Sequence, residues 1–296
     1  MKTHECECPT EGEFEGRTYL YIRTNPADRG LEPRPSEMLC VVSPDIIVIK
    51  PDGSRGIEAV ARELNHIEVI ITNSGGIIAN DAYVEVFFGG PATGFVATNA
   101  QKIGGHYVTV QGYSTASVKI PWIPEETGHL CLTARVSLVA PPDTYRDPDV
   151  FDIQRDRHLA QRNINIIDLG GDDSFKFEFD LVNPAVDNTG ELLLQVQFIN
   201  ASVMEETINK AVGCCFARFS KDLFGKIHLK INGDTVYEDN GVYSVYVPEG
   251  EIRKVELYVE KYTEIHNTCG VLHLLEIKLL ENTGRTIGGV WVVIKP

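Results

Sequence analysis

Five aspartates crowd one stretch of this chain, Asp143, Asp147, Asp149, Asp152 and Asp156, and carboxylates gathered on a loop are the donor type that calcium requires. Their spacing does not match an EF-hand, no glycine occupies the sharp turn, and Arg146, Arg155 and Arg157 are interleaved as counter-charges. The competing reading is a solvated, salt-bridged loop. His4, Cys6 and Cys8, with Cys40 as a distant fourth, offer soft ligands to zinc. The Cys-x-Cys spacing is tighter than structural zinc sites use, and no second cysteine pair completes a tetrahedral set. A tail with accidental thiols is the favoured alternative. No catalytic, cofactor-binding or metal-binding residue is therefore assigned, and no cofactor is expected.

Motifs for catalysis are missing. The chain has no Gly-x-Ser-x-Gly elbow, no His-Glu-x-x-His, no Cys-x-x-Cys and no phosphate-cradling loop, and Gly53-Ser54-Arg55-Gly56 resembles none of these closely. His66, His228 and His273 fall in or beside strand-like segments, where a hydrogen-bonded structural histidine is the ordinary explanation. Trp122, between Pro121 and Pro124, reads as a plug at one end of a core, with an aromatic platform for carbohydrate as its functional alternative. Cys214-Cys215, beside Phe216 and Phe219, reads as buried packing rather than redox chemistry.

What must position these residues is a β scaffold. Ile67, Val69 and Ile71 alternate with Glu68, Ile70 and Thr72 before Asn73-Ser74-Gly75-Gly76, and Phe175, Phe177 and Phe179 alternate with Lys176, Glu178 and Asp180 before Asn183-Pro184. An apolar residue at every second position marks a strand with one buried face, and Asn, Gly and Pro end it. The expectation is an all-β protein of two tandem immunoglobulin-like sandwiches with an extended N-terminal arm: arm 1–42, first sandwich 43–168, second sandwich 172–296. Strands are expected in the first near Ile46–Ile49, Ile67–Thr72, Tyr83–Phe88, Val108–Val110, Ser117–Ile120, His129–Leu138 and Asn163–Ile167. In the second they fall near Phe175–Leu181, Leu192–Ile199, Lys226–Ile231, Ser244–Val247, Lys254–Val259, Val271–Leu280 and Gly289–Ile294. Met204 to Val212 breaks the pattern and reads as a short helix or a long ordered loop. Tyr19–Arg23 is strand-like, so the arm can add to its own sandwich, add to a neighbour's sheet edge, or hang as a loose tail. In the segment His129–Leu138, Cys131 falls on the face opposite Leu130, Leu132, Ala134 and Val136, the wrong side for a core disulfide.

Length and charge set further bounds. The chain has 296 residues, enough for two cores, and 42 Asp plus Glu against 27 Lys plus Arg give a formal charge of −15. Such a field disfavours nucleic acid and anionic membranes. No apolar run reaches membrane-helix length. Met1 to Cys8 lacks the apolar stretch of a secretory signal, and seven cysteines with two adjacent do not look like a secreted disulfide framework. Either the mature form begins later or the protein stays inside; the location is left open, with cytoplasmic synthesis in a reducing compartment favoured.

In detail, Ser43-Pro44-Asp45-Ile46-Ile47-Val48, Thr72-Asn73-Ser74-Gly75, Trp122 ahead of Gly128-His129-Leu130-Cys131-Leu132, and Ala160-Gln161-Arg162-Asn163-Ile164 resemble the CARDB-type, immunoglobulin-like adhesion modules of bacteria. The second half shares only the general sandwich pattern. The resemblance implies a non-catalytic module for cohesion, display or assembly. Protein partners met through the arm or the sheet edges are then expected, a homo-oligomer among them, in a bacterial or phage-tail-like assembly. The competing readings are a carbohydrate- or calcium-binding module and, as a minor one, a hydrolase with a loop-built site.

Overall fold

The computed structural model describes residues 14–35, 41–56, 58–96, 99–125, 131–168, 172–183, 190–199, 218–219, 224–237, 241–261 and 271–295. The first ten strands are β1 Leu20–Tyr21, β2 Ile46–Ile49, β3 Arg55–Gly56, β4 Asn65–Asn73, β5 Ala79–Gly89, β6 Gln101–Val110, β7 Ser114–Trp122, β8 Cys131–Ser137, β9 Leu159–Arg162 and β10 Ile164–Asp168. The remaining nine are β11 Ser174–Val182, β12 Glu191–Ile199, β13 Arg218–Phe219, β14 Phe224–Ile231, β15 Asp234–Val236, β16 Val242–Tyr246, β17 Ile252–Lys261, β18 Val271–Glu281 and β19 Thr286–Lys295. No helix occurs among the described residues. The segment 204–212, His4, Cys6, Cys8, Cys40 and Cys214-Cys215 lie outside them.

Strand β4 organises the first half. It pairs with β7 along its whole length on one side and with β1 and β2 on the other, and β3 extends the sheet beyond β2. The facing sheet runs β6-β5-β8-β9, antiparallel throughout. Between the two sheets lie the alternate side chains read from the sequence: Ile67, Val69 and Ile71 meet Val84, Val86, Ala134 and Val136, and Trp122 closes one end against Phe88. Each fully buried aliphatic side chain contributes about 1.5–3 kcal/mol.

The second half repeats the scheme. Sheet β11-β17-β14-β15 packs on sheet β10-β19-β18-β12-β16, and Phe177, Phe179 and Leu181 meet Leu192, Leu194, Val196 and Ile277 in its core. The turn Asn232-Gly233 joins β14 to β15, with both residues at positive φ, 50° and 92°, as a tight hairpin of this hand requires.

One strand goes elsewhere than expected. Residues 164–167, assigned from the sequence to the first sandwich, form β10 and pair parallel with β19 in the second half. Alternation identifies a strand but not its partner, and Asn163 supplies the reason for the crossing. Its amide donates to the carbonyls of Ala92, at 2.5 Å, and Gly289, at 2.7 Å, while its backbone carbonyl accepts from Trp291 N–H at 3.1 Å. The two halves also share main-chain bonds at Thr93, which donates to Asp180 O at 2.8 Å, while Asp180 N–H donates to Pro91 O at 2.8 Å. Gly288 lets the Thr93 carbonyl come close, since a Cβ there would lie 1.9 Å from that oxygen.

Replacing Asn163 with alanine strands two buried carbonyls at this junction. Asn163→Ala is expected to lower the unfolding free energy by roughly 2–6 kcal/mol, at about 1–3 kcal/mol per orphaned group. Urea titration of both variants measures it.

Candidate functional site

The N-terminal arm leads to the densest cluster of titratable groups among the described residues. Its backbone lies on the Asn73-Ser74-Gly75-Gly76 turn, where a Cβ at Gly75 would meet Arg17 O at 2.1 Å and one at Gly76 would meet Glu15 O at 2.4 Å. The Asn73 side chain accepts from both Tyr19 N–H and Gly75 N–H at 3.0 Å. Leu20-Tyr21 then pairs antiparallel with Asn73-Thr72, so the arm adds a strand to its own sandwich. Asp45 in turn binds the Arg23 guanidinium, at 2.6 Å for the nearest pair.

Beyond this strand the arm meets the loop between β8 and β9. Arg34 is buried; its Nε donates to Asp28 at 2.9 Å, and its terminal nitrogens donate to the carbonyls of Ile22, Ile153, Asp156, Arg157 and Leu159. Gln154 answers by donating to Arg34 O and Pro35 O. Next to this clasp, His158 is 2% exposed, with Nδ1 2.8 Å from Asp156 and Nε2 2.9 Å from Asp143. Arg157 bridges Asp143 and Glu32. Asp143 also accepts from Leu20 N–H, at 2.7 Å, and Asp156 from Arg146 N–H, at 2.7 Å.

With a carboxylate at each ring nitrogen, His158 is fully satisfied only as an imidazolium, donating on both sides. Burial opposes that charge, but the hydrogen bonds to Asp143 and Asp156 outweigh it and hold the imidazole above its ordinary 6.5. Burial likewise pushes Asp143 and Asp156 up, yet the His158 hydrogen bonds and nearby cations keep both below 3.8.

Of the five aspartates read as calcium donors, the fold turns Asp143 and Asp156 inward. Asp147 and Asp149 serve an exposed turn, with Asp149 N–H donating to Asp147 at 2.8 Å. Asp152 caps Arg155 N–H at 3.2 Å, and burial raises its pKa. These groups do not converge on one point. Nor is the stretch merely solvated: Arg135, bonded to Glu85 at 2.7 Å, lies over the rings of Phe87, Tyr145 and Phe151 and pins the loop to the sheet.

Glu32, Asp156 and His158 present ligand atoms within 4.8 Å of one another. A metal there would have to displace one proton of the imidazolium, break its hydrogen bond to Asp156 or Asp143, and compete with Arg157 for Glu32, so the donor set fits an ion-pair lock better than a metal site. Sequence reasoning missed Arg34, Glu32 and His158. Arg34 sits between two prolines in a polar stretch and carries no mark of burial.

The other sequence candidates scatter. Trp122 is 8% exposed in the first core, beside a groove of about 410 Å³ lined by Phe88, Lys102 and Ile123. His66 is half-buried on β4, His228 exposed on β14 and His273 buried on β18. Cys131 is a free thiol on the outer side of β8, packed with Phe87, Phe95 and Phe151, and burial pushes its pKa up to about 12. The face read for it from the sequence is the one it occupies.

No protein-family model matches the chain, and a search of curated proteins gives no match. Among solved structures it is similar to the CARDB domain of a Pyrococcus furiosus protein, at 17% identity over 42% of this chain and 94% of that one, with a TM-score of 0.27. It is also similar to the collagen adhesin CNA of S. aureus, at 8% identity, 84% and 92% coverage and a TM-score of 0.26. CfaE, the adhesive subunit of the CFA/I fimbria of enterotoxigenic Escherichia coli, aligns at 9% identity, 95% and 94% coverage and a TM-score of 0.25. Scores this low carry no argument about role, and the sandwich architecture rests on the sheets described above. The CARDB domain is the module type that the sequence motifs of residues 43–167 resemble.

Two outcomes follow from the cluster. The stabilisation from protonated His158 is complete below pH 6.5 and is lost as pH rises through the raised folded value; that from Asp143 and Asp156 is complete above pH 3.8 and is lost as pH falls through their lowered values. Thermal unfolding across pH is expected to show a plateau between these limits with an alkaline decline, and His158→Gln should flatten that decline. Identical profiles for the two proteins would refute the assignment. Millimolar calcium is expected to leave the melting temperature unchanged, because the inward carboxylates are already committed; a calcium-dependent rise would restore the metal-binding reading.

Proposed function

We propose that this chain is a non-catalytic structural and interaction protein, a component of a larger protein assembly that docks through its free sheet edges. The observation that carries this reading is the internal use of the titratable cluster. Asp143, Asp156 and His158 each spend their polar atoms on one another, on Arg157 or on the backbone, and so present no group poised to transfer a proton to a bound substrate. The described part of the arm is taken up by its own sandwich, which leaves strand edges as the docking element.

The test uses the full chain immobilised and exposed to extract from its native source. Saturable retention of a defined protein set, competed away by free chain, is the expected result, together with no turnover in a hydrolase screen. Turnover that disappears in His158→Gln would overturn the reading in favour of an enzyme.

A further inference from the structure

The two sheets of the first sandwich part at one end, where β5 finishes, β6 begins and β7 finishes. Phe88 and Gln101 are paired across β5 and β6, so their side chains share a face, and it is the inner one because Phe88 packs on the core. Trp122 comes from the opposite sheet and meets Phe88 with ring centroids 5.4 Å apart. Beside this pair opens the groove of about 410 Å³, a size suited to a small ligand.

Two features shape this mouth. The pairing of β5 with β6 slips between Val86 and Phe87, which leaves Ile103 as an extra residue on β6. Bulges of this kind bend a strand and re-aim its side chains, and they gather at rims and next to sites. Ile123, also lining the groove, is 60% exposed, a large apolar side chain left in water at the opening itself. Gln101 and Glu125 complete the lining; both are exposed, and neither has a hydrogen bond or ion pair among the described residues.

We infer that this mouth binds a neutral saccharide, with the C–H face of a sugar ring on Phe88, Trp122 and Ile123 and its hydroxyls on Gln101 and Glu125. The lining selects this class of ligand. A wholly apolar molecule would bury the Gln101 amide and the Glu125 carboxylate without partners, which opposes binding. An anion would meet Glu125 and the field of a chain at −15, while Lys102, the one cation of the lining, holds its ammonium 2.7 Å from Glu85. A sugar hydroxyl both donates and accepts, so it can accept from the Gln101 amide and donate to the Glu125 carboxylate. Aromatic and aliphatic side chains meanwhile cover the apolar face of the ring. The site goes beyond the interaction reading above and does not depend on it.

Isothermal titration calorimetry of the full chain with millimolar cellotetraose, xylotetraose, mannotetraose and N-acetylchitotetraose tests this. Saturable binding of at least one is expected, with a shift of the Trp122 indole N–H resonance and none for Trp291 in the second half. Gln101→Ala combined with Glu125→Ala should weaken binding at least about tenfold, through loss of two hydrogen-bonding groups. The melting temperature should stay unchanged, because both side chains are exposed. Asp234→Ala, on strand β15 of the other half, should leave binding intact. No binding by any of the four, a response confined to the charged probes tetragalacturonate and chitosan tetramer, or binding indifferent to the double substitution overturns the inference. Retention of partners from extract is a separate readout, so a failed saccharide series leaves the interaction reading standing.

Discussion

Burying charge is the constraint around which the first half is arranged. Taking an ion out of water costs several kcal/mol even after relaxation, and the cost is offset only where opposite charges and hydrogen bonds fill every polar position. Arg34, Asp28, Asp143, Asp156 and His158 are all buried, so none of them tolerates a missing neighbour. Asp28 is filled by Arg34, by Gly30 N–H and by the backbone and hydroxyl of Thr24. The arm and the β8–β9 loop thus fix each other. Removing either would expose the other's charges to a cavity they cannot satisfy.

This constraint also explains why strands β5, β8 and β9 are covered on both faces. Their inner face supplies the core, and their outer face holds Phe87, Cys131 and Leu159 under Phe95, Phe151 and Ile153. A loop as polar as 141–158 could not lie on an apolar surface unless its own charges were neutralised locally. The Asp–His–Asp arrangement neutralises some of them, and the aromatic setting of Arg135 neutralises another.

Much of the scaffold was legible because alternation is a local property. Ile67, Val69 and Ile71, or Phe177 and Phe179, announce a half-buried strand whatever they pair with, and Asn232-Gly233 announces its hairpin. Strands β3 and β9 run two and four residues, too short for alternation to appear, and β6 was seen only at its end because Gly104-Gly105 breaks the apolar pattern. The cluster was half legible. The aspartates stood out by density, but their inward turn depends on His158 and on Arg34, which lies more than a hundred residues from its loop partners. Density of charge identifies a candidate; only the fold decides whether the partner is a metal, water or another side chain.

The junction between the halves was illegible for a different reason. Thr93 N–H to Asp180 O, Asp180 N–H to Pro91 O and Trp291 N–H to Asn163 O are bonds between main chains, and nearly any residue could make them. What the sequence does specify there is steric: Gly288 and Gly289, where an added Cβ would meet the oxygens of Thr93 and Ile277, at 1.9 and 2.6 Å. A glycine pair opening a strand ordinarily signals weakness in that strand. Here β19 is nonetheless buried on both faces, with Trp291 and Val293 as protected as Val290 and Val292. Close backbone approach, rather than flexibility, is what those glycines provide: Gly289 admits the Ile277 carbonyl of β18, and Gly288 admits the Thr93 carbonyl of the first half, beside the main-chain hydrogen bonds that the two halves share.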